Sequence, residues 1–374
     1  MEKMNILVTG GAGFIGSHLV DALIENGHRV RILDSLVEQV HGLTAPPHLN
    51  KKAEFIHADV NDAEAVSKAL DGIEVVYHEA AEVGVGQSMY EIVRYVKAND
   101  LGTAVLLEEM IKRQKQFKKL VVASSMSIYG EGAYRCGKCD LKINPFLRSA
   151  EQMQAHDWEF KCETCGELLE TIGTPEDKPL FPTSVYAVSK QDQEQYCLAV
   201  GRAYKMPTVA FRYFNVYGPR QALSNPYTGI CAIFSARLLN DQSPTVFEDG
   251  EQTRDFVNVK DIVRANLLAI ETSGGDYQSF NIGTGRATSV KGIAHLLAKG
   301  LGKDIESEIV GKYREGDIRH CVADISKARK MLGYEPSVTL EDGLAELLAW
   351  TAEQEAEDKV DGATAELAAR SLVN

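Results

Sequence analysis

Tyr186 and Lys190, in the run Tyr-Ala-Val-Ser-Lys, are four residues apart. That spacing puts both side chains on one helix face, about one turn apart. A phenol ordinarily holds its proton to about pH 10. A fixed ammonium nearby favours the phenolate and lowers that value. A tyrosine tuned in this way can take a proton from a hydroxyl and later return it. Tyr-x-x-x-Lys alone is a common pattern, and an ordinary surface helix turn would produce it. The segments before it give it chemical meaning.

Residues 5–9 (Asn-Ile-Leu-Val-Thr) are short, apolar and β-prone, as a buried parallel strand should be. Gly10-Gly11-Ala12-Gly13-Phe14-Ile15-Gly16 follows directly. Its glycines permit a tight turn and let the backbone approach a pyrophosphate at a helix N-terminus. Ser17 to Asn26 predicts an amphipathic helix that stops at Gly27. His28 to Leu33 predicts a second strand, ending at Asp34. Asp34 lies 18 residues beyond Gly16 (34 − 16), the place for an acid that binds an adenosine ribose. A carboxylate there would repel a 2′-phosphate, so the order strand, glycine turn, helix, strand, acid points to NAD rather than NADP.

Two Cys-x-x-Cys knuckles, Cys136/Cys139 and Cys162/Cys165, are separated by 22 residues (162 − 139 − 1). Four thiolates at this spacing suit a tetrahedral, closed, structural zinc site. Two disulfides are the competing reading, opposed by a reducing compartment. An iron–sulfur cluster or a redox switch is a third. Cys197, Cys231 and Cys321 are isolated and read as small buried apolar residues.

The glycine motif, Ser124-Ser125-Met126-Ser127-Ile128-Tyr129-Gly130 and Tyr186/Lys190 together resemble the extended short-chain dehydrogenase/reductases, and within them the nucleotide-sugar epimerases and dehydratases. The likeness continues through Arg212-Tyr213-Phe214-Asn215-Val216-Tyr217-Gly218, Arg254-Asp255-Phe256-Val257, Asn281-Ile282-Gly283 and Gly316-Asp317-Ile318-Arg319. It spans about residues 4–350 apart from an insertion near 131–173. The resemblance implies a catalytic role for Ser125, which would hydrogen-bond the reacting sugar oxygen, for Tyr186 as acid/base, and for Lys190. It implies NAD contacts at Gly10, Gly13, Phe14, Ile15, Gly16, Asp34, Asp59, Val60, Ala80, Ala81, Asn99, Tyr186, Lys190, Phe214 and Val216, with Lys190 holding the ribose and tuning the tyrosine. For a nucleotide-diphosphate sugar it implies Asn215, Arg254 and Arg319, where guanidinium forks suit phosphate oxygens, with Ser88 and Tyr227 in the sugar pocket. Glu79 departs from the pattern, which usually has leucine between the histidine and the alanines.

The family's 4,6-dehydratases place Asp-Glu directly after the catalytic Ser/Thr. Here Met126-Ser127 stands there. Methionine transfers no proton, so the sequence favours a 4-epimerase: oxidation at C4 to a 4-keto sugar, then re-reduction on the other face. The run Val83 to Glu91, the segment Gln221 to Tyr227 and the cysteine insertion resemble a subgroup containing dTDP-L-rhamnose 4-epimerases. UDP- or GDP-hexose epimerases, and reductases, decarboxylases or dehydratases of the same fold, are the alternatives. A non-catalytic dinucleotide sensor is disfavoured by the retained Ser125, Tyr186 and Lys190.

Strand–helix alternation puts the chain in the α/β class. The expected fold is a Rossmann-type doubly wound parallel sheet with a smaller C-terminal substrate-binding lobe and a small zinc-binding insertion. The NAD-binding part is expected over 1–210, the nucleotide-sugar lobe over 211–350 and a polar tail over 351–374, read as a solvated or frayed helix. Net charge is −13, from 40 basic and 53 acidic residues, against the basic footprint that nucleic-acid binding needs. No run reaches a membrane span, and no signal-peptide pattern precedes the first strand, so a cytoplasmic protein is expected. The resemblance implies a homodimer through a four-helix bundle. Leu101, Val105, Leu106 and Met110 have the apolar period for that or for packing on the sheet.

Overall fold

The computed structural model describes residues 2–42, 44–314 and 316–373. Its main sheet has seven parallel strands: β1 (Asn5–Thr9), β2 (Arg29–Asp34), β3 (Glu54–His57), β4 (Val75–His78), β5 (Lys119–Ser125), β6 (Thr208–Tyr213) and β7 (Gln278–Ile282). They stand in the order β7-β6-β5-β4-β1-β2-β3. The alternation of side chains along these strands builds two cores at once. Ile6 and Val8 face one side with Ile32, Tyr77, Val121 and Phe211. Leu7 faces the other with Leu33, Val76, Leu120 and Val122. Helix α1 (Phe14–Glu25) covers the first side through Leu19, Val20 and Leu23. Helix α2 (Gly102–Ile111) covers the second through Leu106 and Met110. Of the four apolar residues with two possible roles, these two pack on the sheet, whereas Leu101 is 49% exposed.

The chain winds outward from β1 through β2 to β3, then restarts at β4 on the other side of β1. The crevice beyond the carboxyl ends of β1 and β4 is therefore the ligand-binding switch point of an open α/β sheet. The sheet does not respect the boundary expected at residue 210. Its edge strand β7 comes from beyond it, with Phe280 paired to Phe211 and both fully buried. Closing an apolar face on a large strand residue outweighs sequence contiguity.

The second lobe is built from small pieces. Asn215–Tyr217 pairs with Phe256–Asn258, and Thr253–Arg254 lies between Thr288–Ser289 and His320–Cys321. Its apolar centre joins Phe234, Leu238, Val246, Ile293, Leu297 and Leu347. The insertion is a three-stranded antiparallel sheet of Ala133–Cys136, Leu141–Ile143 and Glu170–Ile172. The tail does not run free into solvent: after a helix over Leu340–Thr351 it returns as a helix over Val360–Ala369, with Leu367 buried.

A buried ionic cluster joins the insertion to the second lobe. The guanidinium of Arg148 donates to both oxygens of Glu248 (2.9 and 2.7 Å). Arg319 donates to Glu248 (2.9 Å), to Asp249 (2.7 and 3.0 Å) and to Glu159 (2.8 Å). Arg148, Glu248 and Arg319 are nearly inaccessible. Removing one partner from such a cluster leaves buried charge uncompensated, which costs about 3–5 kcal/mol. Glu248→Gln is expected to lose stability of about that size in urea unfolding. A loss under about 1 kcal/mol would mean that the cluster is not a structural tie.

Candidate active site

The glycine turn closes tightly because side chains are missing from it. Gly10 has φ +70, and a Cβ there would stand 2.7 Å from the Ala80 backbone nitrogen. A Cβ on Gly16 would stand 2.2 Å from the Gly10 carbonyl. Gly13 is the N-cap of α1 and offers no side-chain cap. The first amides of α1 are therefore left for an anion at the cavity. Asp34 lies beneath the turn: Ala12 N donates to its Oδ2 (3.0 Å) and Leu36 N to its Oδ1 (2.9 Å).

This turn opens into a cavity of about 660 Å³. Gly10, Gly13, Phe14, Ile15, Gly16, Asp34, Asp59, Val60, Ala80, Ala81, Phe214 and Val216 line it. So do Ser125, Tyr186 and Lys190, together with Asn215, Tyr227 and Arg254. Ser125 ends β5. Tyr186 and Lys190 sit on helix α3 (Val185–Tyr204), whose N-cap Ser184 accepts from Ala187 N (3.1 Å). Residues with the glycine, acid, serine, tyrosine and lysine chemistry thus meet in one enclosure, and they fit a dinucleotide.

The electrostatics differ from what spacing alone predicts. Burial pushes the Tyr186 phenol up from its ordinary value, and the hydrogen bond with Ser125 pulls the other way. Lys190 does not deliver the expected lowering, because its ammonium is turned to the Ala123 carbonyl (2.7 Å) and Gln193 Oε1 (2.9 Å). Burial pulls Lys190 down to about 8, opposed by the charge of Glu79. Glu79 accepts from the Tyr213 phenol (3.0 Å) beside the cavity. Burial raises its carboxyl, with Tyr213 and Lys190 opposing. The acid that breaks the sequence pattern is thus held by Tyr213, and its charge, where ionised, favours the Lys190 ammonium.

Several supporting residues escaped sequence reasoning. Gln193 donates to Thr103 Oγ1 (2.9 Å), which also contacts His78 Nε2 (2.9 Å), and His78 Nδ1 meets Thr9 Oγ1 (2.8 Å). Burial drives His78 down to about 3, so it serves as a neutral link. Ser127 donates to Ser125 Oγ through its hydroxyl (2.9 Å) and its amide (3.2 Å). In the Arg212 motif the guanidinium forks onto Glu194 (Nε–Oε2 3.0 Å, Nη2–Oε1 2.6 Å), which Ser124 Oγ also reaches (2.7 Å). That motif ties α3 to β5 and β6.

Three expected ligand contacts are corrected. Arg319, expected on the diphosphate, is 1% exposed and saturated by Glu159, Glu248 and Asp249. Arg314 lines the cavity instead, as Arg254 does. Ser88 is fully buried: its Oγ accepts from Tyr186 N (3.0 Å) and donates to Val85 O (2.7 Å), so it positions the tyrosine backbone. Asn99 is also fully buried behind the wall, bonding Glu82 N (2.8 Å) and Ser189 Oγ (2.9 Å).

The four cysteine sulfurs of the insertion lie within 4.8 Å of one another. Cys136 and Cys165 are 3.5 Å apart, Cys139 and Cys162 3.9 Å. A disulfide needs about 2.05 Å. Zinc–sulfur bonds of about 2.3 Å in a tetrahedron put the sulfurs about 3.8 Å apart. The four thiols fit zinc.

Comparison with known proteins decides the family. The profile of the NAD dependent epimerase/dehydratase family matches residues 6–152, and that of GDP-mannose 4,6 dehydratase matches 163–347. A dTDP-L-rhamnose 4-epimerase of Burkholderia thailandensis is 37% identical over 95% of this chain and 96% of its own. This chain belongs to the NAD-dependent epimerase/dehydratase family. Among solved structures, UDP-glucose 4-epimerase of Thermotoga maritima with UDP-glucose is 36% identical, with a TM-score of 0.76 over 94% of this chain and 99% of that one. UDP-glucuronic acid 4-epimerase of Bacillus cereus, in complex with UDP-glucuronic acid and NAD, is 31% identical with a TM-score of 0.77 over 94% and 99%. The family also holds more distant chemistry: a UDP-N-acetyl-alpha-D-glucosaminuronate decarboxylase of Bacillus cytotoxicus is 28% identical over 94% of this chain.

The Glu79–Lys190 pairing predicts a pH effect. Lys190 is cationic below about 8 and loses its charge above it, while Glu79 raises that value. Glu79→Gln removes the raising charge. The Lys190 ammonium, followed by the NMR shift of its side-chain methylene signals, is expected to titrate at lower pH in this variant. A titration that stays in place would show that Lys190 does not sense Glu79.

Proposed function

We propose that this protein is an NAD-dependent nucleotide-sugar 4-epimerase. One observation carries the reading: Ser125, Tyr186 and Lys190 line one cavity with the glycine turn and Asp34. Met126-Ser127 offers no acid and base for dehydration. NAD held on Gly10–Gly16 and Asp34 would supply the hydride acceptor and donor, and its positive ring the charge that Lys190 does not bring to the phenol by contact. Tyr186 takes the proton of the C4 hydroxyl and returns it. Ser125 holds the same sugar oxygen, and Ser127 orients Ser125 through the two hydrogen bonds it donates. Arg254 and Arg314 keep the diphosphate in place while the 4-keto sugar turns over. Within this class the first substrate is dTDP-L-rhamnose, converted to dTDP-6-deoxy-L-talose, supported by the 37% identity to an epimerase of that name.

Three further features complete the proposal. Cys136, Cys139, Cys162 and Cys165 hold structural zinc, supported by the sulfur spacing. A homodimer forms through the helices carrying Leu101 and Val188, supported by exposed apolar residues there, Val93 at 81% among them. A reducing cytoplasmic setting suits seven cysteines among which the structure forms no disulfide. Among the described residues no helix is long and apolar enough to cross a membrane.

Purified enzyme given dTDP-, UDP- and GDP-hexoses should invert C4 of at least one, read by the C4 proton signal in NMR. Net NADH, water or carbon dioxide release would instead indicate reductase, dehydratase or decarboxylase chemistry. Tyr186→Phe is expected to keep bound NAD and lose about 10²–10⁴-fold in turnover. Near-normal activity would remove Tyr186 from the mechanism. Elemental analysis should find one zinc per chain, reduced in Cys162→Ser, with a lower unfolding temperature; metal-free native protein would refute the zinc site.

A further inference from the structure

We infer that the C-terminal segment from Val360 onward forms a wall of the nucleotide-sugar site and sets how tightly the sugar nucleotide is held. The inference rests on the reading of the cavity given above. Val360, Ala363, Thr364, Leu367 and Leu372 line the same cavity as Tyr186 and Arg254. Leu367 is packed on Gly86, where a Cβ would stand 3.3 Å from its methyl groups. Gly86 lies in the short turn whose Ser88 holds the backbone of Tyr186. The wall therefore stands close to the sugar end of the cavity.

The segment also spans the cleft between the lobes. Tyr90 belongs to the first lobe and Tyr227 to the second, and their hydroxyls are 2.6 Å apart. Glu366 accepts from both, at 3.2 and 3.3 Å. The Arg370 guanidinium lies over the Tyr90 ring, 4.2 Å from its centroid. Behind the wall, Arg237 holds Asp361 (2.6 Å), and Asn240 donates to the Ala356 carbonyl (2.8 Å). These contacts, not helix propensity, order the segment. A ten-residue helix containing Gly362 is marginal alone. Residues 355–359, which join it to the preceding helix, have no regular structure. A segment held by a few side-chain contacts and carried on an irregular linker lies at the low-stability end of a fold. It can release and re-cover a ligand without disturbing the NAD-binding sheet.

The test compares the full-length holoenzyme with a chain ending at Glu353 and with Leu367→Glu. Each is assayed on whichever nucleotide sugar of the panel the full-length enzyme turns over. Losing the Leu367 contact is expected to raise KM about tenfold or more in both variants, with kcat within about threefold and bound NAD unchanged. A KM within about twofold of full length in both would overturn the inference. Should the shortened chain fail to fold, Leu367→Glu decides alone. If the full-length enzyme turns over nothing, the enzymatic reading falls, and trypsin judges the wall separately. UDP-glucose or dTDP-L-rhamnose should slow cleavage after Lys359 and Arg370; unchanged cleavage overturns it.

Discussion

A buried ammonium holds this site together. Lys190 donates to the carbonyl of Ala123 on β5 and to Gln193 on its own helix. A charge in this position is costly unless it is hydrogen-bonded and counter-charged. Ala123 on β5 and Gln193 on α3 supply the hydrogen bonds, and the Glu79 carboxyl after β4, where ionised, favours the charge. Once they do, the register of α3 against β5 is set. Tyr186, one turn back along the helix, and Ser125, two residues on along the strand, then face one space. The Arg212–Glu194 fork and Ser124 repeat the tie at the next turn of the same helix. The acid/base geometry is therefore a by-product of how one cation is accommodated.

The parts of the site that were legible in the sequence obey backbone rules. A glycine turn between a buried strand and a helix has few alternatives, because Gly10 and Gly16 sit where a Cβ has no room. Asp34 follows from the length of one helix and one strand. Tyr186 and Lys190 follow from helix periodicity. The four cysteines announce themselves by spacing. The parts that were missed depend on which way a side chain turns. Arg314 and Arg319 are five residues apart in one irregular segment, and no periodicity says which faces the cavity. The decision is made by Glu159, Glu248 and Asp249, distant in sequence and invisible to local pattern. Ser88 and Asn99 are correctly near the site but spend their polar atoms on protein. Glu79 was visible as an oddity, and only the positions of Tyr213 and Lys190 give it a purpose. The tail misled because an alanine-rich stretch with scattered charges reads as solvated unless the partner surface is known.

The cysteine insertion gains meaning from where its ends are tied. Glu131, Arg148 and Glu159 reach into the second lobe, and the amides of Arg319 and His320 both donate to Glu131 (2.7 Å each). Arg319 lies five residues from Arg314 at the cavity. The insertion is thus a brace between the loop after Ser125 and the side of the cavity lined by Arg314. Its own apolar centre is small, with Tyr134, Phe160 and Leu169 around the sulfurs. A module of that size gains most from a cross-link at its middle.

The edge strand β7 has a bearing on how the chain reaches this state. The sheet that carries the glycine turn is closed by residues 278–282, paired along their full length with β6. Between those two strands lie the loops bearing Asn215, Tyr227 and Arg254. A ribosome would have to deliver about three quarters of the polypeptide before the sheet could be completed. Pairing partners so far apart in sequence carry a high loop-closure cost and slow folding. The sheet is therefore completed only after the second-lobe loops between those strands have been synthesised.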